Sequence, residues 1–258
     1  MAARPTLFVL QYDGGAFAGW QRQPAARTVQ GDVEDILARL LGKPTPVVGA
    51  GRTDAGVHAT GQAAAAMVPE RWQPRDLVRA MNALLPSDIW IASARRMVAG
   101  FNPRRDASER TYCYRVGTSG ASRSPFRRRY EWAMPGPVDP RRLAAAAQAL
   151  LGVHSFLGLS AKGPEREHYR CRVLEALWLR REDADGLEFW ITADRFLHHM
   201  VRFLVGLMAD VARGRRPLED VSRLLAAGDN RDASPPAPAH GLFLVGVRYP
   251  SHLFAPVP

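Results

Sequence analysis

The stretch "TVQGDVEDILARLLG", residues 28–42, sets the frame of the fold. Val29, Val33, Ile36, Leu37 and Leu40 fall on one face at helical spacing, and Gly42 stands where such a helix stops. Upstream, "TLFVLQYDG" (6–14) is rich in strand formers and ends in a turn signal. Downstream, "TPVVGAG" (45–51) and "GQAAAAMV" (61–68) predict short strands. "QPRDLVRAMNALLP" (73–86) predicts a second helix, with Pro74 in its first turn, Leu77, Met81 and Leu84 toward the core, and Pro86 at its end. "DIWIASARRM" (88–97) returns as a strand, so the order is β-α-β-β-α-β.

The rest of the chain repeats that order loosely. "ERTYCYRVG" (109–117) alternates like a strand, and "VDPRRLAAAAQALLG" (138–152) reads as a helix with Asp139 as N-cap and Pro140 in the first turn. "YRCRVLEALWLRR" (169–181) and "GLEFWITA" (186–193) form a hairpin around "EDADG". Two helices follow, "DRFLHHMVRFLVGLMADVARG" (194–214) and "RPLEDVSRLLAAG" (216–228). "NRDASPPAPAHG" (230–241) is a loop by composition, and "GLFLVGVRYP" (241–250) is a closing strand. The shared order predicts an α+β fold of two ferredoxin-like halves, residues 1–105 and 106–258, with a hinge near the polar "FNPRRDASER" (101–110). A functional cleft is expected at the junction of the halves.

The 258 residues carry a net charge of +10, which favours a polyanionic partner, nucleic acid before membrane. Only Lys43 and Lys162 are lysines, so the positive charge is almost all guanidinium, which adds stacking and bidentate phosphate recognition. Cys113 and Cys171 define neither a disulfide framework nor a zinc site, and a reducing cytoplasm is the expected compartment. The apolar run near residue 203 is broken by His198, His199, Arg202 and Asp210, so no membrane span is expected.

The chemistry centres on "GAGRTDAGVHATGQ", residues 49–62. A dinucleotide fingerprint would need glycine at position 54, where Asp54 stands, and no phosphate-loop G-K-[ST] occurs. His198 and His199 are adjacent and on a helix would point about 100° apart, which disfavours one shared ion. Neither H-E-x-x-H nor C-x-x-C occurs, so no metal site is expected. Asp54 has two readings. One is a turn aspartate that accepts backbone N–H groups. The other is a reactive carboxylate, kept ionised by Arg52 and brought close to a substrate by the flanking glycines. Hydrolytic glycosidases use two carboxylates. A single one suits a reaction in which nothing leaves for good, such as cleaving a nucleoside C–N bond and rejoining the same base through carbon.

The motif closely resembles the active-site motif of the TruA-type tRNA pseudouridine synthases. "QYDGGAFAGWQRQPAARTVQGDVE" (11–34), "FNPRRDASERTYCYRV" (101–116), "LHHMVRFLVG" (197–206) and "APAHGLFLVGVRYP" (237–250) are similar to further segments of that family. The resemblance implies an isomerase that makes pseudouridine at positions 38–40 of the tRNA anticodon stem-loop, as a homodimer with no cofactor and no metal. It implies the two ferredoxin-like halves in one extended mixed or antiparallel sheet, helices on one face. By the same resemblance Asp54 is the essential aspartate, Arg52 enters the stack vacated by the flipped base, Tyr112 packs on that base, and Arg202 pairs with the aspartate. His58, Arg104 and Arg105 join Arg52 and Tyr112 as substrate-binding residues. Helical spacing would put Arg195, His198 and Arg202 on one side of the 194–214 helix. Arg127, Arg128 and Arg129 are further candidate phosphate contacts. The family often has "HDF" where this chain has His154, Ser155 and Phe156, a stretch expected to be a loop.

Overall fold

A computed structural model describes residues 2–134, 136–161, 169–182 and 185–256. The chain divides into two compact units, Met1–Ser108 with Leu244–Pro258, and Glu109–Phe243. In the first unit β1 (Ala3–Tyr12), α1 (Val29–Leu41), β2 (Val48–Gly49), β3 (His58–Pro69), α2 (Pro74–Asn82) and β4 (Ile89–Arg96) follow the expected β-α-β-β-α-β order. β1 is central, antiparallel to β3 through pairs such as Leu7↔Ala65 and to β4 through pairs such as Leu10↔Ile91. β2 adds to β3 through Val48↔Ala65 and Gly49↔Ala64.

α1 begins where Thr28 Oγ1 accepts the Gly31 N–H at 3.2 Å, and it ends at Gly42, whose φ of 75° is a left-handed stop. Its fully buried positions are Val29, Val33, Leu37 and Leu41, a row spaced by four, each contributing roughly 2 kcal/mol of burial. Ile36 and Leu40, expected on the same face, are only half-buried at its margin. α2 has Pro74 at its start and buries Leu77 and Met81, but it stops at Asn82, before Leu84. The Asn82 side chain donates to Ile91 O and accepts from Ile91 N, at 2.9 and 2.8 Å. That clamp fastens the helix end to β4.

The second unit contains β5 (Glu109–Gly117), β6 (Trp132–Ala133), α3 (Pro140–Gln148), β7 (Gly152–Ser155), β8 (Arg170–Arg180), β9 (Gly186–Ala193), α4 (Met200–Ala212) and α5 (Asp220–Leu225). β9 lies between β5 and β8, antiparallel to both, and β7 pairs with β8. β10 (Leu242–Arg248) starts in this unit and finishes in the first. The class is α+β, as read from the sequence. Among the described residues, no helix is long and apolar enough to cross a membrane.

Three local expectations need correction. The stretch His154–Ser155–Phe156 is not a loop: His154 and Ser155 pair with Cys171 and Arg170 in β7, and Phe156 is fully buried. β6, two residues long, was not anticipated. The third concerns the helix predicted from Asp194, which begins at Met200. Two backbone groups of the 194–199 stretch bond to distant partners instead. Asp194 N donates to Arg172 O at 3.1 Å, and His198 O accepts from Ala161 N at 2.9 Å. His199 then turns the chain at φ 59° before the helix starts. Arg195, His198 and Arg202 therefore share no helical face. The "EDADG" turn lies partly outside the described residues.

Candidate active site

Asp54 sits between β2 and β3, half-buried, at the head of a tight turn in which Val57 N donates to Asp54 O at 3.1 Å. Gly56, at φ 77°, supplies the left-handed residue that such a turn requires. The turn is backed by Gly19, itself at φ 99°. A Cβ there would stand 2.7 Å from Thr53 O and 3.2 Å from Asp54 C. Next to it, Trp20 N donates to Thr53 O at 3.0 Å. Two backbone segments therefore touch directly at the turn that carries Asp54.

Below the turn lies a buried polar cluster. The Tyr12 and Thr53 hydroxyls are 2.8 Å apart, and Gln62 Nε2 donates to Gly51 O at 3.0 Å. Burial pushes the Tyr12 phenol up to about 12, against the opposing pull of hydrogen bonds with Thr53 and Gln62. His58 is buried beside this cluster, and its Nδ1 accepts the Gly14 N–H at 3.0 Å, which places it in the support of the loop. Tyr12→Phe should cost about 1–2 kcal/mol in urea unfolding at neutral pH, because it leaves the Thr53 hydroxyl short of a buried partner. Because the folded state holds Tyr12 neutral, the stabilisation due to its raised pKa is complete below pH 10. It is lost as pH rises through about 12, and the mutant should lack that component of the alkaline transition.

The motif's glycines divide their work. A Cβ on Gly49 would meet the Trp20 ring at 2.6 Å, and one on Gly61 would meet Val245 O at 2.2 Å, so both serve packing inside the first unit. Gly51 has open space around it. Of the four, only Gly56 is needed for backbone conformation. Arg52 is exposed, with its Nε donating to Gln21 Oε1 at 3.0 Å. Arg104 joins Arg52, Trp20, Gln21 and Gln30 in lining one hollow. Arg105 lies exposed, paired at 3.3 Å with Asp106.

The second unit holds Tyr112 and Arg202. Tyr112 lies on β5 opposite Ile191, its ring packed edge-on against Phe196 at 4.9 Å. Sequence alternation could not separate it from Tyr114. The structure does, because the Tyr114 hydroxyl donates to Pro238 O at 2.8 Å and its ring is fully buried. Arg202, in the first turn of α4, donates from Nε to Ala237 O at 2.7 Å, while Ala237 N donates to Arg202 O at 2.9 Å. The His198 and His199 rings lie 3.9 Å apart in the turn before that helix, so the angular argument against a shared ion does not hold for them. Arg127 is tied to buried Glu131 at 2.8 Å, whereas Arg128 and Arg129 are exposed.

A family model described as tRNA pseudouridine synthase matches residues 9–98 and 146–250. The chain belongs to the tRNA pseudouridine synthase family. It is 40% identical over 243 residues to the tRNA pseudouridine synthase A of Limosilactobacillus fermentum, covering 93% of this chain and 94% of that one. It is 38% identical over 240 residues to that of Myxococcus xanthus, covering 93% and 90%. With that of Cereibacter sphaeroides it shares 40% over 250 residues, covering 95% and 97%. Members of this family are isomerases, and so is this chain. Within a synthase of this kind, the support behind Asp54 was the part that sequence reading missed. Tyr12, Thr53, Gly19 and Gln21 stand in or near quoted motifs, yet no periodicity or spacing marks them as partners of the loop.

Proposed function

We propose that this synthase converts uridine to pseudouridine at positions 38–40 of the tRNA anticodon stem-loop, acting in the cytoplasm as a homodimer and without a cofactor. The N1–C1′ bond breaks, the base turns, and C5 bonds to C1′. The C5 proton is lost to solvent and N1 gains one. Asp54 either attacks C1′ or removes the C2′ proton. Arg52 fills the vacated stack, its planar cation suited to bases. Tyr112 packs on the flipped base and Arg202 holds the carboxylate, while Arg104 and Arg105 contact phosphate and His58 acts through the loop it supports.

The single observation that carries this reading is Asp54 on a backed, half-buried turn in a chain of this family. Extrusion of the base costs a few kcal/mol, so a stacking residue and a rigid carboxylate both have an energetic purpose. The test is tritium release from C5-labelled uridine in tRNA, with the modified positions mapped. Release from positions outside 38–40 would refute the site assignment, and tRNA binding without release would favour a non-catalytic RNA-binding protein. Arg202→Ala should reduce turnover about a hundredfold or more with a near-normal melting temperature. Unchanged turnover would refute the proposed pairing.

A further inference from the structure

The Arg52 guanidinium is held by a chain of side-chain amides whose polarity is fixed from the backbone. The side chain of Gln30, on α1, makes four hydrogen bonds. Its Oε1 accepts from Arg22 N at 2.9 Å and from Gln21 Nε2 at 2.7 Å. Its Nε2 donates to Val47 O at 3.0 Å and to Glu34 Oε1 at 2.9 Å. A backbone N–H can only donate and a backbone carbonyl can only accept, so the Gln30 amide has one possible orientation. That orientation presents an oxygen to Gln21, which must answer with its NH2 group. The Gln21 oxygen therefore faces outward, and it accepts Arg52 Nε at 3.0 Å. Glu34 anchors the far end, with Oε1 also accepting Val47 N at 2.9 Å and Oε2 accepting from Arg22 at 3.0 Å.

We infer that Gln21 is a positioning residue for Arg52, presetting the guanidinium through a polarised Gln21–Gln30–Glu34 chain rooted in α1. The inference rests on the proposed role of Arg52 in the vacated base stack. A glutamine suits the task better than a carboxylate would, because it fixes the Nε edge without neutralising the charge. Among the described residues, Arg52 Nη1 and Nη2 make no hydrogen bond, so the fork remains open toward a ligand. Holding a long exposed side chain before binding removes part of the ordering cost from the reaction.

Because Arg52 is proposed to act once the base has left, loss of the hold should slow turnover more than it weakens binding. The experiment is a double-mutant cycle of Gln21→Met and Arg52→Ala, read as kcat and KM for tritium release, with melting curves alongside. Gln21→Met, close in volume to glutamine, should lower kcat about tenfold with KM within about twofold and melting unchanged. In the Arg52→Ala background the same change should alter kcat by less than about twofold. Gln21→Glu, a second variant, should also lose rate although it keeps an acceptor for Nε, since its other oxygen would face Gln30 Oε1. Wild-type kcat in Gln21→Met would overturn the inference, and so would an equal loss in the Arg52→Ala background. If Arg52→Ala itself turns over normally, the role given to Arg52 fails and this inference with it. A wild-type protein that releases no tritium is a separate outcome, which strikes the proposed reaction.

Discussion

Asp54→Ala should abolish tritium release while tRNA binding stays the same or tightens. The two halves of that expectation have separate physical grounds. Every proposed route needs an anionic oxygen at the ribose, either as nucleophile at C1′ or as base at C2′, and a methyl group supplies neither. The turn has main-chain support of its own. It is closed by the main-chain oxygen of residue 54 accepting Val57 N, and it is shaped by Gly56 and backed by Gly19. The variant should therefore melt within about 1 kcal/mol of wild type. Removing a negative charge from a protein of net charge +10 takes away repulsion toward RNA phosphate, so affinity has no reason to fall. Asp54→Asn, which keeps the shape and loses the charge, should be equally inactive. Measurable turnover in either variant would sink the aspartate chemistry. Inactivity with a large drop in melting temperature would mean that Asp54 is a structural turn residue after all, the alternative left open by the sequence.

Whatever local periodicity controls could be read from the sequence. α1 spans Val29–Leu41 because its cap Thr28, its stop Gly42 and its apolar face all lie within 15 residues of chain, and the β-α-β-β-α-β order follows from such local signals. The misplaced start of α4 shows where that reading ends. Residues 194–199 have an acceptable helical pattern, yet Arg172 takes the Asp194 N–H, Ala161 takes the His198 carbonyl, and His199 turns the chain at φ 59°. The site divides in the same way. Asp54 and Arg52 stand out within one motif, where composition and spacing left a turn aspartate and a reactive carboxylate both open and the resemblance supplied the roles. Tyr112 could not be told from Tyr114 by alternation, because what separates them is the Pro238 carbonyl more than 120 residues away. The packing roles of Gly49 and Gly61 were hidden for a related reason. A glycine looks the same in sequence whether it lets a loop reach a ligand or lets Trp20 lie flat against β2, and Gly49 does the second.

Gly19→Ala should lower stability and turnover together. Two costs coincide there. A φ of 99° lies in a region that L side chains adopt only under strain. The added Cβ would also approach Thr53 O to 2.7 Å, a contact with backbone that no rotamer change relieves. Together these should cost about 3 kcal/mol, which for a chain of this size corresponds to a fall of roughly 6–12 °C in Tm. The strain can be relieved only by moving the 19–20 segment or the 53–55 segment, and the second carries Asp54. A displacement near 1 Å at a reacting group costs about a hundredfold in rate, so kcat should drop by about that factor even at temperatures where the variant is fully folded. Gly51→Ala is the control within the motif. It has open space and no left-handed φ, so it should melt within about 1 kcal/mol of wild type. If Gly19→Ala lost stability but kept its rate when folded, the backing of the loop would be structural only, and the position of Asp54 would have to be fixed by something other than the contact with Gly19.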